Sequence, residues 1–299
     1  MTPDELTRLA AWALPGQKPS EVRLLKKRYA GLVLEVTTVA GRRLVLKTGA
    51  QTYNPELEAT MLAALRSGGL PVPAVVDAHR GALVLEHCPG RPPTTSADWA
   101  GVAHALRELH AATCSTRYGF DHDTVFGVLP LTNCWSNDWP SFFCNQRLRP
   151  LVDRGWSSGR LPAAEAAQLL SLCETIATRM PPPPAAALIH GDIWSDNVLV
   201  TATGPVFVDP ACFYADPDYE MAFAQTYAPR KPSSALRRGA ASRRDRNETR
   251  LRTRYYRLFF HLAHLVLFGR PCFLSAVRSW LAVLEAPATP SSDHTRAVG

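Results

Sequence analysis

The segment IHGDIWSDNVL at residues 189–199, followed by VDP at residues 208–210, decides the fold of this chain. It places two carboxylates and one carboxamide, Asp192, Asn197 and Asp209, between apolar runs. Oxygen ligands of this kind suit Mg²⁺, which keeps several waters and binds through a few side chains together with substrate phosphates. Phosphoryl transfer needs one carboxylate to accept a hydroxyl proton, and an Asn and a second Asp to hold the metal. The pattern supplies all three groups.

The first third of the chain carries residues that fit the remaining parts of such a site. Lys47 ends a predicted strand, where a lysine is suited to contacting phosphates, and Glu58 on the following helix is placed to pair with it. The run at 83–88, which includes Glu86 and Cys88, is interpreted as a hinge whose backbone binds adenine. Taken alone, Lys47 and Glu58 are each most often exposed side chains, so the interpretation depends on the whole set.

Hydrophobic periodicity and turn residues divide the chain into a sheet-rich first part and a helical second part. In the first part we predict a helix at 2–14, a main helix from Asn54 to Gly69, and strands at 21–28, 32–39, 42–47, 74–77 and 82–86. In the second we predict helices at 97–112, 139–152, 163–179, 255–268 and 273–284, and short strands at 198–200 and 206–208. The fold class is therefore α+β with two lobes: a nucleotide-binding lobe at 1–88, a helical lobe at 89–288, and a frayed tail at 289–299.

The net charge of +7 at pH 7, with a pI near 9.2, comes from one segment. Residues 228–254 hold ten Lys and Arg against Asp245 and Glu248, whereas the rest of the chain holds 23 basic and 24 acidic residues. The protein is close to neutral outside this basic segment. A nucleic-acid partner, which the total charge alone favours, is therefore not expected.

The basic segment, residues 228–254, has Leu236 and Leu251 as its only large aliphatic residues and contains no aromatic residue. Such a composition does not supply an apolar helix face, so a loosely held loop is expected. Three interpretations stay open: a solvated basic loop, a stretch translated out of frame with the frame restored before Tyr255, and a docking patch for an acidic partner.

Other features exclude further classes of protein. The seven cysteines are scattered without a C-x-x-C motif, which excludes a zinc-ribbon or redox signature. Their odd number, without a secretory signal, favours a reducing compartment and hence the cytoplasm. The most apolar late stretch, 258–268, contains His261 and His264 and is too short to span a bilayer, so no membrane partner is expected. His190 is expected to be a packed, hydrogen-bonded loop residue rather than a base.

Three motifs together resemble one family of enzymes. They are HGDIWSDN at 190–197, NCWSNDW at 133–139 with FF at 142–143 and QRL at 146–148, and DPA at 209–211 with FY at 213–214 and the run 216–222. Over roughly 44–227 and 255–280, the chain resembles the fructosamine kinase (ketosamine 3-kinase) family. That family lies within the aminoglycoside phosphotransferase-like, protein-kinase-like fold. The resemblance implies a small antiparallel sheet lobe with one main helix, and a mostly helical second lobe.

The resemblance implies a kinase that uses ATP and Mg²⁺ to phosphorylate the 3-hydroxyl of a free or protein-bound ketosamine, a sugar joined to an amine by an Amadori linkage. The unstable 3-phosphate then breaks down and frees the amine, which is deglycation. Carried over residue by residue, the resemblance implies the following roles: catalytic base Asp192; metal ligands Asn197 and Asp209; phosphate contact Lys47, oriented by Glu58; hinge residues Glu86 and Cys88; substrate-side residues Trp194 and Glu220, with Glu220 also placed to support the catalytic loop.

The chain departs from the family pattern at two positions that bear on the site. Where the family has a glycine-rich loop, KKRYAG at 26–31 keeps one glycine. Two explanations stay open: Lys26, Lys27 or Arg28 substitutes by charge, or the loop is shortened. Asp196 stands where the family usually has Gly. Two alternatives stay open: a related phosphotransferase acting on an aminoglycoside or choline-like hydroxyl, and a nucleotide-binding pseudokinase.

Overall fold

A computed structural model describes residues 1–28, 31–49, 53–79, 81–183, 185–227 and 246–285. Its first lobe contains helices α1 (Pro3–Ala13) and α2 (Pro55–Ser67) and strands β1 (Pro19–Arg28), β2 (Gly31–Thr38), β3 (Arg43–Gly49), β4 (Val75–His79) and β5 (Ala82–Glu86). The strands form one antiparallel sheet in the order β1-β2-β3-β5-β4. These bounds agree with the predicted elements of this part of the chain.

The sheet of the first lobe packs apolar side chains on both of its faces. Successive residues of a strand point to opposite faces, and both sets contain apolar residues. Leu34 and Leu46 lie in the cluster that packs on α1, whereas Leu83 packs with Leu62 of α2. Lys47 is the register partner of Leu83, so its side chain lies on the α2 face. The alternation thereby directs a buried lysine toward α2.

Local signals define where α1 and α2 begin. Thr2 and Glu5 form a capping box, in which each side chain accepts a hydrogen bond from the other residue's backbone N–H. The Asn54 side chain accepts a hydrogen bond from the Leu57 N–H at 2.9 Å, and Pro55 opens the helix. Both predicted helices are confirmed, and the start of α2 places Glu58 one turn into the helix.

In its described residues, the second lobe is mostly helical and contains three short antiparallel strand pairs. Its helices are α3 (Ser96–Ala112), α4 (Trp139–Phe143), α5 (Arg149–Ser157), α6 (Ala163–Arg179), α7 (Pro217–Tyr227), α8 (Arg246–Phe268) and α9 (Pro271–Glu285). The strand pairs are β6 (Thr124–Phe126) with β7 (Leu129–Leu131), β8 (Ala187–Ile189) with β11 (Phe213–Ala215), and β9 (Val198–Thr201) with β10 (Gly204–Phe207). Among the described helices, none combines the length and apolar character needed to traverse a bilayer.

The predicted helix at 139–152 is divided by a π-helical turn at Cys144–Leu148. Pro150 has no N–H to donate to the carbonyl of Gln146, and the guanidinium of Arg147 donates to that carbonyl at 2.9 Å. The proline therefore removes one bond of the regular helical ladder, and the wider turn accommodates its loss. Arg147 lies in this turn and is 1 % exposed.

The expectation of a loose loop over the whole basic segment is wrong for residues 246–254, which form the first turns of α8. Arg252 is 1 % exposed, and its guanidinium donates to Asp216 and Asp218 at 2.8 Å each. Arg252 is buried because two carboxylates neutralise it, and a count of apolar residues in its segment does not reveal this. The remainder of the segment, 228–245, and the tail lie outside the described residues.

Candidate active site

The loop that follows β8 depends on a glycine. Gly191 has φ of +85°, and a Cβ atom at this position would overlap the carbonyl oxygen of Ala211, so a side chain does not fit. The Gly191 N–H donates to Glu220 Oε1 at 2.8 Å. This tight turn leads directly to Asp192, which lines the cleft between the lobes.

Asp192 and Asn197 contact each other across the loop. The Asn197 side-chain amide donates to Asp192 Oδ2 at 2.8 Å and to the Asp192 carbonyl at 3.0 Å. Both donor contacts use the Nδ2 group, which leaves the Asn197 Oδ1 atom directed elsewhere. Within the described residues this buried oxygen has no hydrogen-bond partner. An unsatisfied buried acceptor is costly, and a cation is one ligand that removes the cost.

The donor set fits a divalent cation that keeps much of its water. The residues present are the Asn197 Oδ1 oxygen and the Asp209 carboxylate, which are hard oxygen ligands. In the described part of the chain, no group of three or more His, Cys, Asp or Glu side chains forms a metal-binding cluster. Two protein ligands suit an ion that substrate phosphates also hold, as Mg²⁺ commonly is, and do not suit an enclosed structural metal.

Lys47, Glu58 and Asp209 meet in one buried group that we call the lysine triad. Lys47 Nζ pairs with Glu58 Oε1 from α2 and with Asp209 Oδ1 from the second lobe. These side chains are only 8–10 % exposed, and Tyr53 donates to the other Glu58 oxygen at 2.9 Å. Asp209 is the one non-glycine residue of the described segments in the left-handed region, with φ of +58°. Such a conformation is uncommon and is concentrated at functional sites.

The cleft between the lobes contains the lysine triad together with Asp192. On one side it is lined by the start of β2, and on the other by Val125, Gly127 and Val128 of the β6–β7 hairpin. This hairpin is not among the strands that we predict from the sequence. The sequence TVFGVLPL at 124–131, with a glycine between β-branched and apolar residues, is the signal that indicates it.

His190 is buried and neutral. It is 0 % exposed, its Nε2 atom lies 3.0 Å from the Val208 carbonyl, and its Nδ1 accepts from the Asp192 N–H at 3.3 Å. These partners require the proton on Nε2. Burial lowers the pKa of His190 to about 4. His190 is therefore the packed loop residue that we expected, and it positions the Asp192 backbone.

Glu220 is inaccessible, which corrects its expected place on the substrate side. It is 0 % exposed, one oxygen accepts from Gly191 N–H, and the other lies 2.8 Å from His110 Nε2. A carboxylate with no exposed surface does not reach a ligand in this conformation. Its contacts instead connect α3 and α7 to the Gly191 turn, so its place is that of a support for the catalytic loop.

Glu86 and Cys88 lie apart from the lysine triad, at the end of β5 and in the segment that joins the lobes. The Cys88 side chain is half-buried, its Sγ lies 3.9 Å from the Glu86 carbonyl, and burial raises the pKa of its thiol. Among the described residues, the Cys88 N–H donates to no other backbone group. That donor is the type of group that a planar heterocycle uses for recognition.

Trp194 is half-buried beside the second-lobe core and faces Lys26 of β1. Lys26 Nζ lies 5.1 Å from the centroid of the Trp194 ring and 2.6 Å from Asp196 Oδ2. The two positions where the chain departs from the expected motifs are therefore in contact with each other. Trp139, by contrast, is 1 % exposed and donates to the Tyr256 hydroxyl at 2.8 Å, which is a core position.

Comparison with known proteins gives concordant similarities. A family model described as Fructosamine kinase matches residues 38–285. The "Probable ketoamine kinase" of Lactiplantibacillus plantarum is 32 % identical over 248 residues, which are 77 % of this chain and 75 % of that protein. The mouse "Ketosamine-3-kinase" is 32 % identical over 197 residues, which are 56 % of this chain and 62 % of that protein.

Solved structures show the same likeness. A crystal structure named "putative fructosamine-3-kinase" from Thermobifida fusca aligns with a TM-score of 0.80 and 26 % identity, covering 95 % of this chain and 99 % of that one. An aminoglycoside phosphotransferase, APH(4)-Ia, crystallised with ADP and hygromycin B, aligns with a TM-score of 0.66 and 16 % identity, covering 95 % and 100 %. The second likeness concerns the fold alone. Together they confirm the predicted two-lobed α+β phosphotransferase fold.

Proposed function

This chain belongs to the fructosamine kinase family, and we propose on that premise that it transfers the γ-phosphoryl group of ATP to the 3-hydroxyl of a ketosamine. The single observation that carries the proposal is the Asp192–Asn197 contact, which orients a carboxylate at the cleft and leaves an amide oxygen for a cation. The relatives are named for ketoamine or ketosamine phosphorylation, which supports this substrate class.

In the proposed reaction Asp192 accepts the proton of the acceptor hydroxyl. The hydroxyl oxygen forms a bond to the γ-phosphorus as the bond from that phosphorus to the bridging oxygen of ADP breaks. The Asn197 amide, which donates to Asp192 Oδ2, holds the carboxylate so that the other oxygen is the one that receives the proton. The Gly191 turn and the ring of His190 fix the backbone that leads into Asp192, so little reorganisation is needed.

The remaining site residues have roles in nucleotide binding. The lysine triad presents an ammonium group whose position two carboxylates define, as is required for contact with ATP phosphates. Mg²⁺ on Asn197 and Asp209 offsets phosphate charge when it is bound. We assign adenine recognition to the backbone at Glu86 and Cys88. On this assignment, residues 1–88 form the nucleotide-binding lobe and residues 89–288 the substrate-binding lobe.

The proposed activity leads to release of the amine, because its 3-phosphate product is unstable. A 3-phosphate beside the carbonyl carbon of a ketosamine is a good leaving group, so the product breaks down and frees the amine. The acceptor is a free or a protein-bound ketosamine. We place the reaction in the cytoplasm, because all seven cysteines are free thiols, which persist in a reducing compartment.

The test is ATP-dependent phosphorylation of a ribulosamine and a fructosamine by the wild-type protein and by Asp192→Asn. Removing a general base lowers kcat by about 10²–10⁴-fold, and we expect ATP binding, measured by calorimetry, to be unchanged. Asp153→Asn, which changes an exposed carboxylate on α5, is the matched control and should keep full activity.

Two outcomes contradict the proposal. Turnover of an aminoglycoside or choline in place of every ketosamine assigns the protein to a related phosphotransferase. Binding of ATP without turnover of any acceptor assigns it to the pseudokinases, as the single glycine in the β1–β2 hairpin allows.

A further inference from the structure

We propose that the ring of Trp194 and the carboxylate of Asp196 form a binding site for the protonated amine of the acceptor, and that Lys26 occupies this site when no acceptor is bound. The proposal rests on the proposed function, because the amine in question is that of a ketosamine. It adds a recognition residue, Asp196, at a position where the family usually has glycine.

The structure shows an ammonium group held at this place. Lys26 Nζ lies 2.6 Å from Asp196 Oδ2 and 5.1 Å from the Trp194 ring centroid. A carboxylate together with an aromatic face is a general arrangement for binding an alkylammonium ion. The Lys26 and Asp196 side chains are 41 % and 40 % exposed, and exposed ion pairs contribute little stability. A ligand amine can therefore displace Lys26 at low cost.

A β-bulge directs Lys26 to this site. On β1, Leu24 pairs with Leu34 and Lys26 pairs with Val33, so the register shifts by one residue at Leu25. In a regular ladder Leu25 would stand opposite Val33 and on the same face as Lys47. The extra residue moves that position to Lys26, which is how bulges beside functional sites redirect a side chain.

The site adjoins the catalytic carboxylate. Asp196 lies in the single helical turn Ser195–Asn197, directly before the residue whose amide contacts Asp192 at 2.8 Å. In a ketosamine, the amine on C1 and the reacting oxygen on C3 are separated by a short carbon chain. An amine bound at Asp196 therefore belongs close to a hydroxyl at Asp192, as the reaction requires.

The experiment measures binding of fructosyl-butylamine, and of fructose as the uncharged comparison, by calorimetry without ATP. Asp196→Asn should raise the Kd for fructosyl-butylamine on the order of fivefold and leave that for fructose unchanged. Lys26→Ala removes the internal competitor and should lower the Kd by about two- to threefold. Lys18→Ala, which changes an exposed lysine directly before β1, is the matched control and should leave both values unchanged.

The opposite direction of the two changes is decisive. If Lys26 and Asp196 are only a structural pair, both variants weaken binding, which overturns the proposal. Equal Kd values for the wild type and Asp196→Asn overturn it as well. A loss of ATP affinity in Lys26→Ala, without tighter amine binding, would make Lys26 a phosphate ligand instead. Amine binding with this pattern but without phosphorylation would sustain the site and refute the proposed function.

Discussion

Two lysines on one face of the sheet, Lys47 and Lys26, each pair with an aspartate of the second lobe, but one pair is buried and the other is exposed. Val33 pairs with both residues in register, so they flank it on neighbouring strands. Each reaches a carboxylate of the second lobe, Asp209 or Asp196. The first pair is 8–10 % exposed and the second about 40 %. Burial makes a pair obligatory, whereas exposure leaves it exchangeable.

The most deeply buried ion-pair cluster of the described residues is that of Arg252 with Asp216 and Asp218. Its disruption should give the largest loss of stability. Arg252→Met leaves two buried carboxylates without their cation, which costs about 3–5 kcal/mol in the free energy of unfolding. Arg250→Met, in the same turn of α8 but exposed, should stay within about 0.5 kcal/mol of the wild type. Urea unfolding measures both, and equal losses would contradict the comparison.

Disruption of the lysine triad should give the second largest loss of stability. Lys47→Met removes the cation that Glu58 and Asp209 share, and we expect a loss of about 3 kcal/mol in stability. The loss lies below that for Arg252 because the triad borders the cleft, where water reaches the carboxylates. Lys26→Ala is the matched exposed variant and should change stability by less than about 1 kcal/mol. A similar loss in the two variants would remove the distinction that burial makes.

His190 is a buried titratable group that forms no ion pair in the described structure, so its pH dependence reports the effect of burial alone. Its pKa is lowered to about 4 in the folded protein, so the unfolded chain binds a proton first as the pH falls. Its contribution is complete above pH 6.5 and is lost between pH 6.5 and 4, by roughly 2–3 kcal/mol in all. Unfolding measured across this range should show a shallower slope in His190→Gln. Parallel slopes in the two proteins would show that His190 is not buried as a neutral ring.

The smallest effect belongs to the exposed pair. A double-mutant cycle of Lys26→Ala and Asp196→Asn should give a coupling of about 0.2–1 kcal/mol in stability. Added salt should reduce it, because both groups are accessible to solvent ions. A coupling above 2 kcal/mol that salt does not change would place this pair with the buried ones.

Sequence reasoning succeeded where a signal is local and failed where a partner is distant. Asn54 and Pro55 predict the start of α2, because they act on the backbone within the first helical turn, and the helix begins there in the structure. The β6–β7 hairpin is short, and its strands carry weak periodicity. The helical start of α8 was missed because the burial of Arg252 depends on its pairing with Asp216 and Asp218 at the start of α7, and the composition of the basic segment does not reveal that pairing.

The sequence by itself determined the chemistry of this protein: the residue types at Asp192, Asn197 and Asp209, and the order of sheet and helices, since spacing and periodicity are properties of the chain. Only the tertiary structure decided which charges are buried and which are exchangeable. Lys47 and Lys26 have the same side chain. A bulge in β1, the register of the sheet and the position of the second lobe distinguish them, and these depend on contacts between segments far apart in the chain.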